Sequence, residues 1–435
     1  MKLPPQLLGF LRNKLATDIG WTLGGFAILA LSGVVINIAV TLLRDTASLG
    51  IFNQAYATYI VASQFAVLGI HYSVLRHAAY HEDDQSTRDR LLVTAIVMTG
   101  VLGLIAGGLL ALAAPMIGRL LDSAPSADAM RIAAFGLVLF PLNKVLIAYV
   151  NGLRRMKAFA ILQSVRYLTV MIVVIGISLT DLPFAFAAFS FLAAETIVAL
   201  ASLAYLWKQG LLHVRGFDSS WFKTHLTFGT KSMMAGMFGE LNARLDVLMV
   251  GVFMSDQAVG LYSFAAMLAD GLFHVLTMIR TNFNPLLVAA ARDNQWEQPM
   301  SLMQKSRKFL TPITGALALG LIMAFYFIAI YVVPSKGLLE AMPAAIILML
   351  GLTLIARFIP FDNVLLASGH PAYQAGQQAS IVVANLLAGI MLIPILGLAG
   401  AAASTVIGYV AGIIVLVLMA RRLIGWNLVF NRMAA

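Results

Sequence analysis

Cysteine is absent from this sequence of 435 residues, and charged residues are scarce. Without cysteine there is no disulfide, no thiol chemistry, no Cys-ligated zinc and no iron–sulfur cluster. Charged residues make up 11% of the chain, whereas a soluble domain has roughly 25%. A Gly-rich P-loop, an HExxH zinc motif and a GxSxG nucleophile elbow are also missing. We therefore expect neither a soluble protein nor an enzyme, and no metal or cofactor.

Long apolar runs fill the chain instead. Apolar residues make up 60% of it, and the mean hydropathy is +0.89. A helix needs about 20 apolar residues to cross a bilayer, and such runs follow one another here almost without a break. The sequence predicts an all-α integral membrane protein of about twelve spans. The first run is too long for a signal-peptide core, so we expect it to be a retained span. The predicted spans are residues 18–43, 47–75, 91–117, 129–150, 160–180, 184–207, 226–253, 258–281, 306–333, 342–366, 373–395 and 398–420.

The formal net charge of +10 is distributed unevenly between the two sides of this map. If the N-terminus is cytoplasmic, the inside segments hold nineteen Lys and Arg and the outside loops hold four, when the first turn of a span is counted with the loop before it. Such a bias sets the orientation of membrane proteins. We therefore expect both termini to be cytoplasmic, and we interpret the basic charge as an orientation signal with no nucleic-acid partner.

The two halves of the chain repeat weakly similar features in the same order. LGIF (49–52) opens the second span, and VGLY (259–262) opens the eighth. The polar break 208–225 separates six spans from six. With an even number of spans in each half, both halves enter from the cytoplasm, which predicts parallel repeats related by an axis along the membrane normal. The predicted domains are two six-helix bundles, residues 1–217 and 218–435.

Small residues recur at helical spacing in two spans. Gly400, Ser404, Gly408 and Gly412 follow one another every four residues, and Gly103 and Gly107 show the same spacing once. Small residues at this period let helix backbones approach closely in lipid. We interpret both stripes as packing surfaces.

Ionisable residues within the spans are the candidate functional residues. Each costs at least about 2.5–3.5 kcal/mol to bury on the insertion scale, so each needs a partner or a watery cavity. Six cations nearly balance five anions. They are Lys144, Arg166, Lys231, Arg244, Arg280 and Arg357, against Glu195, Glu240, Asp246, Asp270 and Asp362.

Two pairs of these residues have helical spacing, and each has two interpretations. Glu240 and Arg244 lie one turn apart, so they either neutralise each other or present one member to a central cavity. Asp270 and His274 are also four residues apart. A carboxylate beside an imidazole can relay protons near neutral pH, or the two can form a structural pair. We take Asp270, His274, Asp246 and Glu240 as candidates for coupling transport to a cation.

Five of the basic residues suggest a second hypothesis, in which they share one binding site. By the topology map, Lys144, Arg166, Lys231 and Arg280 lie in the cytoplasmic third of the membrane, and Arg357 lies nearer its middle. Long basic side chains near helix ends can extend to the headgroups and need no other explanation. Gathered from five helices, they would instead form a cationic vestibule suited to a phosphate-bearing lipid head.

Several short segments resemble a known family. They are RLDVLMVGVF (244–253), VGLY (259–262), LGIF (49–52), LGI (68–70) and NGLR (151–154). With the layout of six plus six spans, they resemble the oligosaccharide-lipid flippases of bacterial surface-polysaccharide synthesis. These O-antigen and exopolysaccharide translocases belong to the multidrug/oligosaccharidyl-lipid/polysaccharide (MOP) superfamily. Its lipid II flippases carry two further spans, whereas its multidrug and toxin extruders share the twelve-span fold.

The resemblance implies a V-shaped pair of bundles that works by alternating access in the bacterial inner membrane. Its substrate would be an undecaprenyl-pyrophosphate-linked oligosaccharide, and its energy source an H⁺ or Na⁺ gradient. A polysaccharide polymerase or a chain-length regulator would be a partner, besides membrane lipids. Only Arg244 and Asp246 lie within a matching segment. The full set of substrate-binding candidates is Arg244, Lys231, Arg280, Arg357, Arg166 and Lys144.

Two further functions stay open at this point. A multidrug extruder would have an acidic cavity with one dominant carboxylate and an aromatic lining. A scaffold subunit of a synthase complex would need fewer polar residues in its spans than this chain has. The slight excess of cations over anions in the spans favours the flippase.

Overall fold

A computed structural model of the protein describes residues 5–213, 216–334 and 337–433, with backbone alone for 5–16, 19 and 235. The described residues are almost entirely helical. The helices are α1 Pro5–Leu43, α2 Thr46–Val67, α3 Ile70–Tyr80, α4 Gln85–Leu120, α5 Ala124–Gly152, α6 Met156–Ser178, α7 Phe189–Lys208, α8 Ser219–Phe253, α9 Asp256–Asp293, α10 Glu297–Lys305, α11 Thr311–Phe327, α12 Met342–Ile355, α13 Val364–Ala367, α14 Pro371–Leu396 and α15 Leu398–Leu423. A two-stranded antiparallel hairpin, β1 Trp426–Asn427 and β2 Arg432–Met433, follows α15.

The fold class predicted from the sequence is confirmed. Within the described residues, ten helical stretches are long and apolar enough to cross a membrane, and the bent pair α2–α3 makes an eleventh. With 35 residues, α8 is also long enough, but the charged residues Lys231, Glu240, Arg244 and Asp246 interrupt its apolar run. Counting α8 gives the predicted number of about twelve. The positions 1–4 and 434–435 lie outside the described residues, so the cytoplasmic location of both termini stays a prediction.

Two predicted spans are broken in the structure. The second span divides into α2 and α3 with a bend of 54°, because Leu68 and Gly69 adopt positive φ angles of 46° and 67° that an α-helix cannot contain. The tenth span ends as an α-helix at Ile355 and continues as a 3-10 turn at Ile359–Phe361. Pro360 lacks the amide that would continue the helical hydrogen bonds.

The chain forms two compact units, and each unit combines two separate ranges of the sequence. Unit 1 comprises residues 1–43 and 58–236, and unit 2 comprises residues 44–57 and 237–435. The first half of α8 thus belongs to unit 1, and the first half of α2 belongs to unit 2. The predicted domains 1–217 and 218–435 divide the chain in a simpler way and stay a prediction.

Close helix packing occurs at the glycines that the sequence indicated. In unit 1, Gly103 lies against the backbone of Val138 on α5, so that any Cβ would collide with its carbonyl oxygen. In unit 2, Gly400 lies equally close to Leu392 on α14, and Gly408 packs on Asn385. The interpretation of both stripes as packing surfaces is therefore confirmed.

The glycines that open the second and eighth spans meet within unit 2. A Cβ on Gly50 would collide with the carbonyl oxygen of Asp256, and a Cβ on Gly260 would collide with that of Thr46. Each glycine therefore lies against the helix turn that precedes the other. The similarity of LGIF and VGLY marks equivalent positions that pack against each other through bare backbone.

In each unit, a short segment that follows a long helix folds back on another helix of the same unit. After α7, Gln85 Nε2 donates to the Gly210 carbonyl over 2.8 Å and the Asp218 amide donates to Thr94 Oγ1 over 3.1 Å. After α15, Asn431 Nδ2 donates to the Met300 carbonyl over 2.8 Å. The two described parts of the predicted polar break 208–225 are therefore both held against α4 by hydrogen bonds.

Candidate functional site

The candidate residues divide between the two units. Lys144, Arg166 and Lys231 belong to unit 1. Unit 2 contains the other seven, which are Glu240, Arg244, Asp246, Asp270, His274, Arg280 and Arg357. The cationic vestibule would need residues of both units and stays a prediction.

Asp246 is the most completely buried acidic residue of unit 2, with 7% of its surface exposed. Its Oδ1 accepts a hydrogen bond from the Val247 amide over 2.8 Å, and its Oδ2 accepts one from Tyr262 Oη over 2.8 Å. Tyr262 also lies 3.5 Å from Thr405 Oγ1. The backbone and α9 therefore hold this carboxylate in one orientation inside the helical unit.

Arg244 lies two residues before Asp246 on the same helix and has no direct ion pair among the described residues. Its guanidinium carbon is 4.9 Å from the centre of the Tyr56 ring. Its Nε is buried and has no hydrogen-bond partner within the described part of the chain. Asp270, Glu240 and Asp246 act on its charge through space. A half-buried guanidinium with a buried, unbonded Nε is an incomplete site, because such a group normally binds carboxylate or phosphate oxygens at two points.

A small cavity lies beside these charges, between α8, α9, α12 and α15. Its volume is about 20 Å³, and a cavity of roughly 10–15 Å³ holds one water molecule. The side-chain oxygens along it belong to Asn242, Asp246, Asp270, Thr405 and Tyr409. Oxygen ligands of this kind suit a hard cation or a hydrated proton. The size admits a small cation or a water molecule and excludes an organic molecule.

Asp270 and His274 do not form the carboxylate–imidazole pair that their spacing suggested. His274 Nδ1 lies 2.6 Å from the backbone carbonyl of Asp270, and the imidazole is exposed. The Asp270 carboxylate instead lines the cavity. Glu240 likewise forms no ion pair with Arg244 among the described residues, so the spacing of four did not decide either partnership.

Arg280 is neutralised within unit 2. Its Nη1 lies 2.9 Å from Asp362 Oδ2, and the two side chains are 26% and 18% exposed. Arg357 stacks on Phe358, with its guanidinium carbon 4.6 Å from the ring centre. Its Nε finds no hydrogen-bond partner in the described ranges. Of these two candidates, only Arg357 keeps an unpaired charge within the described residues.

In unit 1, Arg166 forms a closed pair with Glu195. Its Nε lies 2.9 Å from Glu195 Oε1, and its Nη2 donates to Oε2 over 3.0 Å. Asn143 Nδ2 donates to the same Oε2 over 2.6 Å. Arg166 is 8% exposed and Glu195 2% exposed. This close ion pair neutralises both charges, although the Arg166 Nε makes no hydrogen bond of good geometry within the described residues. It leaves Arg166 little capacity to bind a ligand.

The remaining two candidates of unit 1 have different environments. Lys144 Nζ lies 5.6 Å from the centre of the Phe140 ring, next to the Arg166 pair. Lys231 is exposed on α8. Lys231 is thus the candidate of this unit that a ligand reaches most easily.

Sequence reasoning missed the neutral residues that complete these arrangements. Tyr262, Thr405 and Tyr409 surround the acidic residues of unit 2, and Asn143 completes the pair of unit 1. Tyr262 belongs to the repeated VGLY segment, and that position was a signal. No group of three or more His, Asp or Glu suited to a metal ion occurs among the described residues.

Comparison with known proteins identifies the family. A family model described as a polysaccharide biosynthesis protein matches residues 15–291. A comparison with curated proteins gives no match.

Solved structures of low sequence identity share the fold. The lipid II flippase MurJ, in an inward closed conformation, is similar with a TM-score of 0.74 and 15% identity, over 93% of this chain and 87% of that chain. An inward-facing multidrug resistance MATE family transporter has a TM-score of 0.67 and 14% identity, over 91% and 94% of the two chains. A MOP superfamily transporter from Pyrococcus furiosus has a TM-score of 0.53 and 16% identity, over 94% and 95%. Because the family model covers more than half of the chain, the protein belongs to the polysaccharide biosynthesis protein family.

Proposed function

We propose that the protein is a flippase for an undecaprenyl-pyrophosphate-linked oligosaccharide. It moves this lipid from the inner to the outer leaflet of the bacterial cytoplasmic membrane by alternating access, and so supplies O-antigen, capsule or exopolysaccharide synthesis. Both termini are cytoplasmic, and a polysaccharide polymerase or a chain-length regulator receives or directs the product. The family match and the fold shared with MurJ, itself named a lipid II flippase, support this function.

The single observation that carries the proposal is the state of Arg244. A charge inside a membrane protein needs a partner, and this guanidinium stacks on Tyr56 with a buried, unbonded Nε among the described residues. A pyrophosphate offers several acceptor oxygens to such a fork. Lys231 and Arg357 are the additional cations with free charge within the described chain. Arg280, Arg166 and Lys144 have nearby partners and contribute less to anion binding.

The cavity beside Asp246 and Asp270 supports a role in energy coupling. Removing a proton or a Na⁺ ion from the cavity leaves the carboxylates charged in a poorly hydrated space, which is costly. Binding of a cation in this cavity would therefore change the electrostatic potential at Arg244, since both carboxylates act on its charge. In this scheme the cation and the anionic lipid communicate through Arg244.

A cation-coupled multidrug extruder is the alternative, and one feature favours it. Two carboxylates line the cavity together with Phe273 and Tyr409, as an extruder of organic cations would require. The volume of about 20 Å³ is the counter-argument, because a drug-sized ligand needs roughly 300–1,000 Å³. The cavity therefore suits the coupling ion better than a drug.

The two functions are separated by transport in proteoliposomes. We would reconstitute the purified protein with a labelled undecaprenyl-pyrophosphate-linked oligosaccharide in one leaflet, impose an H⁺ or a Na⁺ gradient, and measure how much glycan becomes accessible to an added glycosidase. Parallel vesicles would contain ethidium. We expect movement of the glycolipid and none of ethidium. Efflux of ethidium without movement of the glycolipid would establish the extruder instead.

A further inference from the structure

A polar cluster of unit 2 joins α9 to α14 and lies outside the Arg244 site. The α9–α14 polar cluster consists of Arg280, Asp362, Asn363, Gln374, Gln377 and Gln378. At its centre, Asp362 Oδ2 accepts from Arg280 Nη1 over 2.9 Å and Asp362 Oδ1 accepts from Gln377 Nε2 over 2.7 Å. Gln378 Nε2 lies 3.4 Å from Asp362 Oδ2.

Carboxamides extend the network beyond this ion pair. Gln374 Nε2 donates to Gln377 Oε1 over 2.9 Å, and Gln378 Nε2 donates to the same oxygen over 3.1 Å. Asn363 Nδ2 donates to Asn284 Oδ1 on α9 over 3.3 Å. Gln374 is 8% exposed, yet its Oε1 has no partner within the described residues. The network therefore retains an unused acceptor in its buried part.

The backbone around the cluster is irregular. The tenth span stops being an α-helix at Ile355, and Asp362 and Asn363 lie between a 3-10 turn and the four-residue α13. Non-helical backbone next to a membrane span is tolerated where it is buried in protein or lines a watery cavity. Interrupted helices of this kind mark substrate sites in transporters.

The charge balance of the cluster determines which ligand it suits. Arg280 and Asp362 cancel, so the cluster does not attract an anion. The Arg166 pair of unit 1 reaches the same neutrality with one helping amide and stays buried, whereas this pair gathers three glutamines and remains partly exposed. Carboxamides both donate and accept hydrogen bonds. An uncharged ligand rich in hydroxyl groups matches this surface.

We infer that the α9–α14 polar cluster binds the hydroxyl groups of uncharged sugars in the transported oligosaccharide. The inference rests on the proposed function, and it assigns the glycan and the pyrophosphate to different residues of unit 2. Gln378 contacts the sugar from the half-buried part of the cluster, and Asn363 supports it from the irregular turn. Arg244 remains the residue for the pyrophosphate.

Binding to two matched lipids tests this assignment. The probes are undecaprenyl pyrophosphate and the same lipid carrying an uncharged hexose oligosaccharide, each titrated into the full-length protein in nanodiscs. The variants are Gln378→Leu and Asn363→Ala, and the control is Gln64→Leu, since Gln64 bonds within its own helix. We expect roughly three- to tenfold weaker binding of the glycan-bearing lipid, the size of one lost hydrogen bond. Binding of undecaprenyl pyrophosphate should not change.

Each other outcome contradicts one specific statement. If the wild-type protein binds both lipids equally, or if the variants weaken both equally, the cluster does not recognise sugar, although the flippase function stands. If the wild type binds neither lipid, the proposed function itself is wrong. Unfolding temperatures of all four proteins identify a folding defect, and Asn363→Ala is the milder change, because its side chain caps no helix.

Discussion

Each unit contains an arginine with a buried Nε, and the two arginines have opposite surroundings. In unit 1, Arg166 meets Glu195 at two points and Asn143 fills a remaining site, so the group is closed. In unit 2, Arg244 faces three carboxylates through space, makes no direct pair within the described residues and lies near a cavity. A closed pair stabilises a fold and responds little to a ligand, whereas an open set can change partners.

We propose that this contrast separates structural from functional charge better than the position in the membrane does. The topology map placed Arg166, Arg280 and Lys231 at one depth and gave them one role. The structure distinguishes them by their partners: a buried pair, a partly exposed pair and an exposed side chain.

Breaking the closed pair should have the largest effect. Glu195→Ala leaves Arg166 charged and buried, and removal of one partner from a buried pair costs about 3–5 kcal/mol. We expect little folded protein in the membrane and an early unfolding transition in detergent. The double variant Arg166→Met, Glu195→Met should recover stability because it leaves no buried charge. A double variant that is stable but inactive would show that Arg166 or Glu195 is needed for transport, and would contradict a purely structural role of this pair.

Removing charge from the open set should affect transport and leave the fold intact. Asp270→Asn makes one carboxylate of the cavity neutral, so stability should stay the same or increase. We expect the variant to bind the glycolipid and to lose gradient-driven movement of it, measured as initial rates with and without imposed H⁺ and Na⁺ gradients. A variant that responds fully to both gradients would exclude Asp270 from coupling.

Hydrogen bonds from single uncharged side chains to the buried carboxylates give a finer test in both units. Asn143→Leu and Tyr262→Phe each remove one donor to a buried carboxylate, and such a bond contributes about 1.5–3 kcal/mol. Asn143→Leu should lower the unfolding temperature without changing transport per folded molecule. Tyr262→Phe should alter the gradient dependence of transport. Equal behaviour of the two variants in both assays would remove the distinction between the units.

Exposed carboxylates should give the smallest effect and serve as a reference. Hydrogen bonds from Thr87, first its side chain and then its amide, lower the pKa of Asp84, and those from Ser220 lower the pKa of Asp218. A folded-state pKa below the unfolded value means that these caps stabilise the protein above about pH 3.9. This contribution is lost as the pH falls through the folded-state pKa. Asp84→Ala should lower the unfolding temperature at pH 7 and leave it unchanged at the lowest pH, and an equal decrease at both would contradict this assignment.

Sequence reasoning predicted most of the fold because hydrophobic run length and glycine spacing act locally. It found the helices, the small-residue packing and the residues that carry charge. It failed on partners: Arg166 with Glu195 and Arg280 with Asp362 are 29 and 82 residues apart. Spacings of four suggested Glu240 with Arg244 and Asp270 with His274, and neither pair of charged groups is in contact among the described residues.

The broken spans also depend on contacts between distant residues, so the sequence did not predict where the helices are interrupted. The LGI segment (68–70) contains the bend at Gly69. In the sequence it indicated only a resemblance to a family, and it did not predict that the helix is interrupted there. Gly69 needs a positive φ, and Gly229 lies too close for a side chain. Only the packing of α8 against this turn reveals why the helix stops there.

The central claim is that the open charge of unit 2 carries transport and the closed charge of unit 1 does not. The most direct measurement compares two double variants, Glu240→Gln, Arg244→Gln and Arg166→Met, Glu195→Met, as surface polysaccharide per molecule of folded protein in cells lacking the wild-type gene. We predict that the Glu240, Arg244 variant makes almost none while the Arg166, Glu195 variant stays near wild type. Normal polysaccharide from the Glu240, Arg244 variant, with Arg244→Gln alone inactive, would show that Arg244 only neutralises Glu240 and would contradict the account.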